Sequence, residues 1–289
     1  MNTEKCFALI EAKYNRLFTV DKTNNCISLN AGFGDIPPFN MVWVEGGEFM
    51  MGENGVGDKE KPPHSVEVSG FLMAEFAVTQ ELYRGVTGES PSNFKGDRHP
   101  VEQVNWYQAI AFCNTLNQML SLDMPYSGEK DATQCNFRCT AFRLPTEAEW
   151  EFAARGGKDA KKQYEYAGRD NIDEVAWCYE NNAYETKPVG LKFPNALGLY
   201  DMSGNVWEWC WDWYGEDYYK ECKKNGQTPN PPGPESGSSR VLRGGSWRDG
   251  ADDSRVAFRS NRTPGHYWFH YGFRLLFALQ FTSEQRQEI

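Results

Sequence analysis

Two short blocks near the end of the chain constrain it most: Val241-Leu242-Arg243-Gly244-Gly245-Ser246-Trp247 and Gly272-Phe273-Arg274. Glycines and arginines bound a segment in which Arg248, Asp249, Asp253, Phe258, Asn261, His266, Tyr267, Trp268, Phe269, His270 and Tyr271 crowd together. Neither a helical nor a strand period runs through it, as one would in a core element. A merely solvated loop would not carry so many rings. Rings mixed with small polar residues have the composition of a binding surface. The pattern predicts a rigid frame that holds a recognition loop.

The remainder of the chain can support such a frame. Its 289 residues, 40% hydrophobic and 15% aromatic, are enough for one large domain or two small ones with a substantial core. A net charge of −10 argues against nucleic acid as a partner, since that needs clustered basic surface. No apolar run is long enough for a transmembrane helix. The start, Met1-Asn2-Thr3-Glu4-Lys5-Cys6, has no apolar stretch of the kind a secretory leader carries. Eight cysteines are dispersed, with Cys135 and Cys139 the only close pair. Zinc sites commonly use two such pairs. Free thiols are therefore expected, with a disulfide or a metal as the alternatives.

Residues 1 to 38 read as an extension ended by Pro37-Pro38. Met41-Val42-Trp43-Val44 and Gly46 to Gly52 read as strand, turn and strand, and His64 to Val68 alternates as another strand. Three helices follow. Thr79 caps one carrying Leu82, Tyr83 and Val86 and ended by Gly88. Asn105 with Gln108 and Thr146 with Glu149 form capping boxes for the other two. From 157 to 240 there is little regular patterning. The expected class is an irregular α+β domain. In Trp207-Glu208-Trp209-Cys210-Trp211-Asp212-Trp213 four tryptophans alternate with three other residues, so a central strand should turn its rings to the core.

Chemical motifs are sparse. There is no G-x-S-x-G, no phosphate-binding glycine loop and no H-E-x-x-H. His266 and His270 have the spacing of helical metal ligands, but Pro264-Gly265 argues against a helix there. Asp249, Asp252 and Asp253 suit a solvated loop face. Arg243, Arg255, Arg259 and Arg274 suit structural pins to carbonyls and carboxylates, with anion binding the alternative. Asp201 and Glu208 flank a glycine turn as hard oxygen donors, and carbonyls at Gly204 and Val206 could complete a calcium shell. The competing reading of Asp201 is an Asx-turn.

Arg143-Leu144-Pro145-Thr146-Glu147-Ala148-Glu149-Trp150-Glu151-Phe152-Ala153-Ala154-Arg155-Gly156-Gly157, Asn195 to Trp209, and the two terminal blocks together resemble the formylglycine-generating enzyme (sulfatase-modifying factor) family. Shorter matches begin near Phe49. The resemblance implies a C-type lectin fold over residues 39–281, with a variable region of about 246–271 and a tail at 282–289. It also implies structural calcium at Asp201, Gly204, Val206 and Glu208. The family's enzyme uses two copper-binding cysteines at positions that match Asp249 and Ser254, and no cysteine follows Cys222. Soft thiolates suit Cu(I), whereas a carboxylate and a hydroxyl do not. Neither copper nor oxidase activity is therefore expected.

One branch, the variable proteins of diversity-generating retroelements of the treponemal kind, ends in this same frame, with rewritten positions displayed between the blocks. That resemblance implies a non-catalytic ligand-binding protein that works at the cell surface or outside the cell on an unknown protein or cell-surface ligand. Its ligand-binding candidates are Arg248, Asp249, Asp253, Phe258, Ser260, Asn261, His266, Trp268, Phe269 and His270. Phe258, Trp268 and Phe269 should be exposed on one face. The alternatives are an oxidoreductase on the same scaffold or an interaction module with a fixed partner.

Overall fold

The computed structural model describes residues 2–23, 26–55 and 57–279; the tail expected at 282–289 lies outside the described residues. The alternating run does form a strand, Trp207–Trp213, but all of it is buried. Trp207, Trp209 and Trp211 enter one core with Trp106, Phe112 and Phe273. Cys210 enters a second core with Trp150, Phe152 and Met202. Glu208 and Asp212 are buried as well, which is tolerable only where donors meet them. Glu208 accepts from Trp150 Nε1 at 2.7 Å and Asp212 from the Glu147 amide at 2.8 Å. The strand is thus a wall between two cores.

Local signals placed the helices correctly. Thr79 caps Gln80–Thr87, and Gly88 ends it at a φ of 75°. Both capping boxes are present, ahead of Trp106–Met119 and Glu147–Ala154.

Among the described residues the main sheet has six strands, in the order Phe18–Asp21, Cys26–Leu29, Asn40–Val44, Phe71–Ala74, Leu276–Phe277 and Phe142–Arg143. The N-terminal extension therefore supplies two strands of this sheet. Phe7, Ile10, Phe18 and Leu29 join its core. The strands Asn40–Val44 and Gly47–Met51 do not pair as neighbours. The first joins the six-stranded sheet, and the second pairs with His64–Val68 in a separate one.

The sheet that positions the loop has the order Arg259–Arg262, Arg240–Arg243, Trp207–Trp213, Tyr271–Phe273. Arg240–Arg243 runs antiparallel to the tryptophan strand on one side, and Tyr271–Phe273 runs parallel to it on the other. The chain between them must leave one side of the tryptophan strand and return on the opposite side. The turn out of Arg243 uses Gly244 and Gly245 at φ of 94° and 73°. A Cβ on Gly245 would lie 2.8 Å from the Asp253 carbonyl oxygen, so the loop folds back where only glycine fits.

Candidate functional site

Four buried arginines hold the loop. Arg243 donates to the carbonyls of Val256, Ala257 and Phe258 and to the Glu151 carboxylate. Arg255 forks onto Glu60 at 2.8 and 2.6 Å, and Arg259 onto Glu147 at 2.5 and 2.6 Å. Arg274 bonds both oxygens of Glu208 and the carbonyls of Ala74, Glu75 and Tyr200. Burial pushes the Glu151 carboxyl upward, but Arg155 and Arg243 outweigh it and hold it below its ordinary value. Removing one partner of such a pair leaves the other charge buried alone, which costs about 3–5 kcal/mol.

Between these pins the loop turns rings outward. Tyr267 is 55% and Trp268 41% exposed. Trp268 stacks on His266 at 5.9 Å and meets Phe269 at 5.3 Å. Phe269 stacks in turn on Trp247 at 5.7 Å, and Phe94 closes against both. Backbone bonds fix this row to a distant part of the chain. The Gln103 amide donates to the Trp268 carbonyl and the Trp106 amide to that of Pro264, each at 3.0 Å. Gln103, Gly265, His266, Tyr267, Trp268 and Phe269 line a shallow cleft of about 350 Å³. Arg248, exposed, lies with its guanidinium 5.2 Å from the Phe269 ring centre.

Of the expected ligand-binding residues, Arg248, His266, Trp268 and Phe269 come together here. Phe269 is only half-buried rather than fully displayed. His270 is a correction: it is buried, and burial, then Arg248, Arg262 and His266, lowers its pKa to about 3. Asp249 is also turned inward, accepting from Trp207 Nε1 at 2.8 Å and from the Ser246 hydroxyl. Phe258 is half-buried, its ring 6.0 Å from that of Trp207. Ser260 and Asn261 are half-buried on the strand Arg259–Arg262, at the opposite edge of the sheet from Tyr271–Phe273. Asp253 is half-buried, and burial followed by Asp249 and Asp252 raises its pKa.

Sequence reasoning noted Tyr267 in the segment but left it out of the ligand-binding candidates, although it sits inside the run that carries His266 and Trp268. It had no means of finding Phe94 or Gln103. Nor did it single out Tyr179 and Tyr184, 52% and 63% exposed with rings 5.6 Å apart. The Tyr179 amide donates to the Asp249 carbonyl, and the Asn182 side chain donates to that of Trp247. These contacts come from tertiary structure.

The calcium shell expected at Asp201, Gly204, Val206 and Glu208 does not fit as drawn. Arg274 and Trp150 already engage both Glu208 oxygens. Of the two side chains, Asp201 retains a buried oxygen without a partner, Oδ1. Burial raises its carboxyl to about 6, with Glu208 adding to the rise and the Gly190 amide and Arg274 opposing it. Among the described residues no group of three or more His, Cys, Asp or Glu side chains is arranged to hold a metal ion. Among the described residues no disulfide is formed. Ser254 is fully buried beneath Gly245.

Comparison with known proteins agrees with this architecture. The family described as sulfatase-modifying factor enzyme 1-like domain matches residues 35–279. A chaperone protein, LppX, of Paenibacillus barcinonensis is 34% identical over 76% of this chain and 82% of its own length. The formylglycine-generating enzyme of Streptomyces coelicolor is 30% identical over 86% of this chain and 92% of its own. Chlamydial serine/threonine-protein kinases match at 32–33% identity, but the chain spans only 37% of their length. Among solved structures, Treponema denticola variable protein 1 superposes with a TM-score of 0.78 at 36% identity, covering 87% of this chain and 98% of that one.

Proposed function

The chain belongs to the sulfatase-modifying factor enzyme 1-like family, with a mixed α+β fold of the C-type lectin-like, formylglycine-generating type; on that premise we propose that it is a non-catalytic binding protein, the variable protein of a diversity-generating retroelement. One observation carries the reading. Tyr267 and Trp268 stand exposed between segments pinned by buried arginine–carboxylate pairs. Side chains that support no core can be exchanged without loss of the fold, and aromatic rings give contact area at low entropic cost. Asp249 and Ser254, in this reading, stand where the oxidase branch has its thiolates, so copper chemistry has no ligands there. The likeness to Treponema denticola variable protein 1 supports the same conclusion. The ligand would be a protein or other cell-surface molecule, met at the cell surface or outside it. Among the described residues no helix is long and apolar enough to cross a membrane.

A fixed-partner module is the competing reading, favoured by the relative named a chaperone protein. Two measurements separate them. DNA near the gene should hold a near-copy of the codons for about 246–271 that differs at adenines, beside a reverse transcriptase. A library randomised at Arg248, His266, Tyr267 and Trp268 should yield mostly folded chains with near-parental melting temperatures. A library that is mostly unfolded, or the lack of any such repeat, rejects the retroelement assignment. Copper-dependent oxygen consumption by the purified chain rejects the non-catalytic one.

A further inference from the structure

The row His266–Trp268–Phe269 is bracketed by cations. Arg248 sits over Phe269 at one end. At the other, Arg262 lies near enough to the Tyr271 hydroxyl to oppose the rise that burial gives its pKa, and the Tyr271 ring lies 5.7 Å from His266. Both arginines are exposed, and neither forms an ion pair among the described residues, on a chain of net charge −10. The arginines of the frame, by contrast, each have a carboxylate. Of the acids in the same stretch of chain, Asp249 is engaged by Trp207 and Ser246, and Asp252 is exposed and forms no ion pair with either arginine among the described residues. After burial, Arg248, Arg262 and His266 all lower the pKa of His270, so both arginines lie close to the row.

We propose that the occupant of this cleft is an acidic, aromatic- or apolar-bearing polypeptide segment, its carboxylates held by Arg248 and Arg262 and its apolar side chain laid against Trp268. This rests on the binding-face reading above and adds the chemistry of the ligand to it. A guanidinium presents a planar fork that matches a carboxylate in a bidentate pair. An unpaired exposed arginine beside an exposed tryptophan is also the residue set that dominates protein interfaces. Two arginines are too few, and the overall charge is too negative, for a polyphosphate backbone. Charge complementarity of this size steers encounter and fixes register.

The test uses the full chain on an array of peptides matched in length and apolar content, with net charge from strongly acidic to strongly basic. The parent should retain acidic peptides, with affinity falling as salt rises. Trp268→Ala should weaken them by more than about tenfold. The double variant Arg248→Glu/Arg262→Glu should invert the charge preference while its melting temperature stays that of the parent. Retention that depends on Trp268 but not on peptide charge overturns the acidic ligand and leaves the binding face standing. Retention indifferent to all three substitutions overturns both. No retained peptide, with heparin or single-stranded DNA bound through the same two arginines, overturns the polypeptide class.

Discussion

The same residue type does opposite things in two regions of this molecule. Arg243, Arg255, Arg259 and Arg274 are buried and neutralised by Glu151, Glu60, Glu147 and Glu208. Arg248 and Arg262 are exposed and, among the described residues, form no ion pair. The first group converts burial into geometry, because each fork fixes two segments far apart in sequence. The second contributes little to geometry and has no carboxylate to neutralise it among the described residues. A loop can be both precise and replaceable when the residues that hold it are not the residues it displays.

The sharpest way to break this comparison is to unpin the frame. Arg259→Met takes from buried Glu147 its bidentate partner, leaving it only Arg243 at 3.7 Å, and should lower stability by about 3 kcal/mol. Arg248→Met should change it by no more than about 0.5 kcal/mol, as for an ordinary surface position. Chemical denaturation of both variants measures the contrast. Equal losses would mean that Arg248 belongs to the frame. A similar contrast holds for the rings: Trp209→Ala empties a fully buried site and should cost about 3–5 kcal/mol.

Glu102 sharpens the comparison from the other side, as a fully buried carboxylate without an arginine. Its Oε1 accepts from the Phe94 amide at 2.9 Å, and its Oε2 has no partner. Burial, opposed by backbone donors and Lys95, raises its pKa from the ordinary 4.5 to about 7. The folded state therefore keeps a proton that the unfolded chain has lost. Stability from this group is full below pH 4.5 and is lost as pH rises toward about 7. Glu102→Gln should remove that fall, so that the variant gains on the parent at pH 8 relative to pH 4.5. Parallel stability curves for the two would show that Glu102 is ionised throughout. Because Phe94 touches Trp247 and Phe269, the titration acts directly beneath the displayed row.

Much of this was legible in the sequence where short-range physics decides. Capping residues named three helices, and alternation named the tryptophan strand. The terminal blocks announced a frame, and their arginines read correctly as pins. What failed depended on partners distant in the chain. Asp249 reads as a loop acid until Trp207 and Ser246 are seen to hold it. His270 looks like its neighbour His266, yet it opens the turn into Tyr271–Phe273 and is buried with it. Glu208 carries a sequence signal common to metal ligands and arginine partners, and only tertiary structure shows Arg274 against it. The extension at residues 1 to 38 lacks obvious periodicity because its strands are short, and its membership of the main sheet depends on pairing with Asn40–Val44.

The smallest expected effect concerns what neutralises the frame's carboxylates. If guanidinium groups do so alone, chelation with EGTA should leave the melting temperature unchanged, and Glu208→Gln should destabilise the chain in chelator and in calcium alike. A metal that binds only the folded state stabilises it in proportion to the logarithm of its concentration. A fall in melting temperature on chelation, restored by added calcium and absent in Asp201→Asn, would show that the free Asp201 Oδ1 does recruit an ion. Part of the frame would then be held by a cation that exchanges with solvent, and the division between fixed pins and replaceable display would have to be redrawn at that turn.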